Sequence, residues 1–227
     1  MAGLKALVPL GAKHAVRRVL RRPSGNARRY LPRGVTVDAF LRALTAADVR
    51  YAVLRWFETL PDVGAGEDID VLVADEDLPF VEGRLTPYRP FAAAQKVDLY
   101  SASGVPRTTF GGAPYLPFRL AESVLNEAVL LHGAYRVPTP EWHLASLAYH
   151  AVQHKGAASG LPRETVAASP PQGRIAETLQ RLSAETGTPL ELSLAGLEHF
   201  LAQRGLTPSD HDANLLATER RRLYPTA

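Results

Sequence analysis

In the stretch Gly66-Glu67-Asp68-Ile69-Asp70-Val71-Leu72-Val73, alternating acidic and apolar residues give way to an unbroken apolar run. A strand has a side-chain period of two, so Asp68 and Asp70 point to one face and Ile69 to the other. Two like charges on one face repel, and a divalent cation held by oxygen ligands offsets that repulsion. Working outward, the apolar run Tyr51-Ala52-Val53-Leu54 lies before this stretch and Val97-Asp98-Leu99-Tyr100 after it. Asp98 has the same alternating context, which predicts a third carboxylate brought in from a neighbouring strand. Asp68, Asp70 and Asp98 are therefore the candidate metal ligands and catalytic residues, in a pattern that suits two-metal phosphoryl chemistry with Mg²⁺ or Mn²⁺. The competing reading is a solvated acidic strand edge.

An apolar strand, a turn, an Asp-apolar-Asp strand and a later strand with a single Asp together resemble the nucleotidyltransferase superfamily of the DNA polymerase β type. More narrowly, Tyr51 to Arg55, Gly66 to Val73 and Tyr149-His150-Ala151-Val152-Gln153-His154-Lys155-Gly156 are similar to nucleotidyltransferase-like proteins of bacterial surface polysaccharide gene clusters. The resemblance spans roughly residues 36–165. It implies an α/β (α+β) fold with a small mixed sheet of the nucleotidyltransferase type flanked by helices, and a helical C-terminal part. It also implies a metal-dependent transfer of a nucleotidyl or related phosphoryl-linked group from a nucleotide donor to a hydroxyl acceptor, such as a saccharide. One departure stands out. The superfamily carries Gly-Ser or Gly-Gly after the first strand, where backbone N–H groups approach phosphate, whereas this chain has Arg55-Trp56-Phe57-Glu58. Trp56 would crowd a triphosphate, while Arg55 offers a bidentate fork to phosphate oxygens. Two alternatives stay open: a same-fold transferase using a sugar-phosphate or phosphoribosyl donor, and a non-catalytic binding or scaffold protein.

Hydrophobic content of 46% and charged content of 22% are those of an ordinary globular protein. The chain has no cysteine, which excludes disulfides and a Cys-based zinc site and reads as cytoplasmic. Its net charge of +3 is unevenly spread. The first 37 residues hold nine Lys and Arg and no acid, leaving 17 basic against 23 acidic residues in the remainder. Residues 9–22 can form a helix with Ala12, Ala15, Val16 and Val19 on one side and Lys13, Arg17, Arg18 and Arg21 largely on the other. Such a segment suits an anionic membrane surface and a peripheral location at the inner membrane face. A basic arm with no partner is the plainer reading.

The chain divides into residues 1–35, the basic arm or amphipathic helix, residues 36–165, the nucleotidyltransferase-like domain, and residues 166–227, a helical region. Thr36 is placed to cap a helix reaching about Ala47. Asp75-Glu76-Asp77 reads as the acidic first turn of a short helix near Leu78 to Leu85. Apolar residues at helical spacing from Leu120 to Leu131 predict a helix stopped by Gly133, followed by a short strand over Ala134 to Val137. Thr139-Pro140 starts a helix from Glu141 to about Lys155, ended by Gly156. His150 and His154 share a face of that helix, with His143 further back. A zinc-hydrolase signature would need Glu where Ala151 stands. The histidines are read either as groups hydrogen-bonded within the helical part or, for His154 with Lys155 and Arg163, as ligands of a substrate phosphate.

Overall fold

The computed structural model describes residues 28–64, 66–106, 108–110, 113–165 and 171–223. The predicted helix over residues 9–22 lies outside them, as do Gly111 and Gly112 and residues 166–170 of the expected linker.

Four strands form a mixed sheet in the order β1-β4-β3-β2, where β1 is Arg29–Tyr30, β2 Tyr51–Val53, β3 Ile69–Val73 and β4 Lys96–Ser101. Strands β3 and β4 are parallel, and β1 and β2 run antiparallel to β4 and β3. The class is α plus β with a small mixed sheet, as expected. The basic first segment does not run free to residue 35, however. Arg29 is buried on the edge strand and ion-paired with Glu82.

Alternation along the strands separates two apolar cores, one on each face. Tyr51, Val53, Val71, Val73, Val97 and Leu99 face the first. Helix α1 (Val37–Ala46) supplies Phe40, Leu41 and Leu44 to it, and α2 (Leu78–Glu82) supplies Leu78 and Val81. Thr36 caps α1 by accepting from the Ala39 N–H at 3.1 Å, as its residue type predicts. The acidic turn Asp75–Asp77 is a 3₁₀ turn leading into α2.

The opposite face presents Ala52, Leu54, Leu72 and Tyr100 to the second core. Helices α3 (Phe118–Asn126), α4 (Pro140–Tyr149), α5 (Arg174–Thr186) and α6 (Leu194–Gln203) share that core, and α7 (Asp210–Leu223) adds Leu216. The helical region beyond residue 166 is thus packed into the core of the sheet rather than built around a core of its own.

Helix α3 stops at Asn126, short of the expected Gly133. Val129–Leu131 forms β5, paired antiparallel with β6 (Tyr135–Val137), and His132 and Gly133, at φ +51° and +66°, turn the chain between them. Apolar residues at helical spacing were here also apolar residues of a hairpin. Among the described residues no helix is long and apolar enough to cross a membrane.

Candidate functional site

The parallel register sets Asp70 directly beside Asp98 and Ile69 beside Val97. Asp68 and Lys96 stand one step earlier on the same two strands. Period two then puts Asp68, Asp70, Lys96, Asp98 and Tyr100 on one face. The three predicted carboxylates do converge. They line a cleft of about 1200 Å³, open to solvent, between the sheet and the helices that cover this face.

Cations of the chain itself engage all three. Arg55, two residues past β2, has a side chain only 9% exposed and donates to Asp70 Oδ1 at 2.7 Å, and the Tyr100 hydroxyl donates to the same oxygen at 2.9 Å. The Lys96 ammonium bridges Asp68 and Asp98, lying 2.9 Å from Asp98 Oδ1. Burial acts to lower the Arg55 pKa, but Asp70, Tyr115 and Tyr100 together more than offset it, and the guanidinium stays charged. Burial likewise acts on Lys96, and Asp98 and then Asp68 hold its pKa above the ordinary value. Burial, and next the Asp70 charge, raise the Asp98 pKa against the pull of Lys96.

An aromatic stack runs away from Asp70. The Tyr100 ring lies 3.9 Å from Tyr115, and Tyr115 lies 4.0 Å from the His154 ring at an interplanar angle of 6°. Gly104 brings the loop carrying Tyr115 to the end of β4: its φ is +79°, and a Cβ there would meet the Ala113 carbonyl carbon at 2.3 Å. His150 Nδ1 lies 2.5 Å from the Tyr115 hydroxyl, and His154 Nε2 donates to the Tyr115 carbonyl at 2.8 Å. Helix α4 widens at this point into a π-helical stretch, His150–Lys155, instead of continuing as α-helix to Lys155. Such stretches are frequent at functional sites. Burial keeps His150 neutral, with its pKa lowered well below the ordinary value. Both histidines thus position Tyr115. Their partner is a loop residue rather than a group within the helical part, and both histidines also line the cleft.

The remaining predicted residues part company. Lys155 is exposed on the cleft wall, whereas Arg163 lies outside the cleft lining and pairs with Glu198 at 2.7 Å on the surface. Arg28 and Arg221 join Lys155 as cleft-lining cations with no carboxylate partner among the described residues. Arg174, on α5, lies 4.0 Å over the Trp56 ring and pairs with Glu67 at 3.0 Å. Trp56 itself has φ +57°, a left-handed conformation that costs a residue with a Cβ roughly 1–2 kcal/mol. Trp56 lies in the segment Arg55 to Glu58, where the resemblance leads one to expect Gly-Ser or Gly-Gly.

Lys96, Tyr100 and Tyr115 were missed from sequence. For Lys96 and Tyr100 the signal was present, since each is two residues from Asp98 and shares its face. Tyr115 sits in a loop, where no periodicity marks it.

The donor set fits one divalent ion better than two. Three carboxylates against two built-in cations leave a single excess negative charge. Among the described residues no group of three or more His, Cys, Asp or Glu side chains is arranged to hold a metal. Asp68 and Asp98 are hard oxygen donors with the Lys96 ammonium lying between them. No protein-family model, curated protein or solved structure matches this chain.

Proposed function

We propose that the protein is a transferase of the nucleotidyltransferase type that takes a phosphate-bearing donor in the cleft and passes a nucleotidyl or related phosphoryl-linked group to a hydroxyl acceptor. The observation that carries this reading is the placement of Asp68, Asp70 and Asp98 on one face of β3 and β4, at the floor of the cleft. Arg28, Lys155 and Arg221 support it, because cations around a cleft with no carboxylate partner among the described residues raise the local concentration of a polyanionic donor. Asp68 and Asp98 would hold Mg²⁺ or Mn²⁺, which when bound neutralises donor phosphates and favours the attacking alkoxide. Arg55 and Tyr100 both hold Asp70 Oδ1 and so fix the carboxylate in the cleft. The Trp56–Arg174 stack lines the cleft where the resemblance leads one to expect Gly-Ser or Gly-Gly, which suits a donor other than a nucleoside triphosphate, such as a sugar phosphate or a phosphoribosyl donor. By resemblance the acceptor is a saccharide hydroxyl in surface polysaccharide synthesis, reached from the cytoplasmic face of a membrane.

A second reading is favoured by one observation. Lys96 and Arg55 already neutralise most of the acid cluster, as suits a binding or scaffold protein that has kept the fold without its chemistry. Calorimetric titration separates the two. Mg²⁺ or Mn²⁺ is titrated into wild type and Asp68→Asn/Asp98→Asn, alone and with nucleoside triphosphates, sugar phosphates or phosphoribosyl pyrophosphate. Donor binding that is lost in the variant supports the transferase and names the donor class. Absence of binding for every donor leaves the scaffold reading.

A further inference from the structure

Arg55 and Trp56 follow one another just past β2, and in an extended strand they would point to opposite faces. Both line the cleft, because the chain turns through φ +57° at Trp56, and Phe57 returns to the first core. A left-handed backbone is a rare state for so bulky a residue, and positions of this kind gather at ligand clamps. The two side chains are held very differently. Arg55 is locked to a buried carboxylate, Asp70. The Trp56 indole packs half-buried against the second core, and what lies over its ring, at 4.0 Å, is the Arg174 guanidinium. Arg174 and its partner Glu67 are 48% and 47% exposed. An exposed pair of this kind holds weakly, so the cover over the indole is removable.

Three chemistries therefore meet at one wall of the cleft: an aromatic face, a carboxylate that accepts and a guanidinium that donates. A hexose phosphate matches them part by part. The C–H face of a pyranose ring is apolar and rests on the negative π face of an indole. Its phosphate takes a guanidinium bidentately. Its hydroxyls donate to a carboxylate and accept from a guanidinium, whereas a nucleobase, which also stacks on an indole, has fixed donors and acceptors at its edge. We propose that Trp56, Glu67 and Arg174 form a hexose-phosphate subsite, in which the sugar ring displaces Arg174 from the indole, Glu67 accepts from the ring hydroxyls and Arg174 passes to the phosphate. The subsite rests on the reading of the cleft as one that takes a phosphate-bearing donor, and it narrows that donor to one with a pyranose ring. In the resting protein the three groups satisfy one another, while Arg55 stays committed to Asp70.

The chain has two tryptophans, Trp56 and Trp142, and Trp142 on α4 is outside the cleft lining, so Trp142→Phe makes Trp56 the sole reporter. Its emission is followed, with calorimetry on wild type in parallel, as the 1-phosphates of glucose, galactose and mannose, inorganic phosphate, and adenosine and uridine monophosphates are added. At least one hexose phosphate is expected to change the emission saturably, and inorganic phosphate is not. By calorimetry Trp56→Leu and Arg174→Ala should each weaken that ligand by about tenfold or more. Glu67→Ala should weaken it without weakening inorganic phosphate. Arg174 and Glu67 are exposed, so their variants supply the answer if Trp56→Leu does not fold. An emission unchanged by all three hexose phosphates would overturn the proposal, as would a response to the nucleotides alone, or variant affinities within about threefold of wild type. Asp68→Asn/Asp98→Asn is titrated alongside, with and without Mg²⁺. Hexose-phosphate binding that needs Trp56 but ignores those carboxylates and the metal upholds the subsite and removes the transferase reading. Binding lost with the carboxylates but kept in Trp56→Leu overturns the subsite and keeps the transferase.

Discussion

The two faces of the four-stranded sheet are made from alternate residues of the same strands, yet they are built to opposite ends. One face is apolar from Tyr51 to Leu99 and sealed by α1 and α2. The other is apolar at Leu72 and Ala52 but carries Asp68, Asp70, Lys96 and Asp98 at its open end. Burial of apolar area stabilises the first face at about 25 cal/mol per Å². The charges on the second face meet a desolvation penalty that ion pairing only partly offsets. Apolar cores on both faces hold the fold, and the charged end of the second face draws on their stability.

The largest expected effect comes from breaking a pair on the charged face. Arg55→Met leaves Asp70 buried without its cation and should cost about 3–5 kcal/mol in urea unfolding. Arg55→Met/Asp70→Asn should cost less than the single change, since it removes the stranded charge. On the sealed face Leu99→Ala should cost about 2–5 kcal/mol and leave ligand binding in the cleft intact.

His143, in α4, is buried with its ring 4.7 Å from Phe57 and its Nε2 atom without a hydrogen-bond partner among the described residues. Burial, and next the Arg181 charge, lower its pKa from 6.5 to about 3. The unfolded chain therefore takes up a proton below pH 6.5 that the folded protein refuses. Stability falls as pH drops from 6.5 toward 3, at up to about 1.4 kcal/mol per pH unit from this group. His143→Leu should flatten that part of a stability–pH curve.

Asp98 has the opposite sign. Its folded pKa lies above 3.8, so its contribution to stability is present at low pH and is lost as pH rises through the folded value. Asp98→Asn should gain on wild type as pH rises above 3.8, with a net change at neutral pH within about 1 kcal/mol. A large loss at neutral pH would mean that this end of the face holds the fold after all. The smallest effect is expected from Arg163→Ala, which should alter neither melting nor ligand binding, because its pair with Glu198 is exposed and outside the cleft.

The convergence of Asp68, Asp70 and Asp98 was legible because strand alternation fixes a face without reference to the rest of the chain. The same rule would have delivered Lys96 and Tyr100, had the reading of the Asp98 strand gone beyond its acidic residue. Arg55 was legible as a cation at the site but not as the partner of Asp70, since the partner depends on how the loop from Arg55 to Gly66 folds back. Tyr115 and the π-helical turn that grips it were not legible, because hydrogen bonds from His150 and His154 to a loop leave no periodic trace. The β5–β6 hairpin was read as helix at Val129 to Leu131, where three consecutive apolar residues satisfy either period and only the turn at His132 and Gly133 distinguishes them.

The cleft draws its lining from Arg28 to Arg221, almost the full described length of the chain. Its floor is complete once β4 has been synthesised at Ser101, whereas Arg221 follows 120 residues later. At about 5–20 residues per second the ribosome needs roughly 6–24 s to cover that interval. For that time a nascent chain holds the acidic strands without the helices that cover them. Arg55 and Lys96, both made before β4 ends, let the strands pair without waiting for any external ion. The cleft, in contrast, is complete only when the last helix docks, so a chain stalled or cut before α7 would be a sheet with its charges balanced and its cleft unfinished.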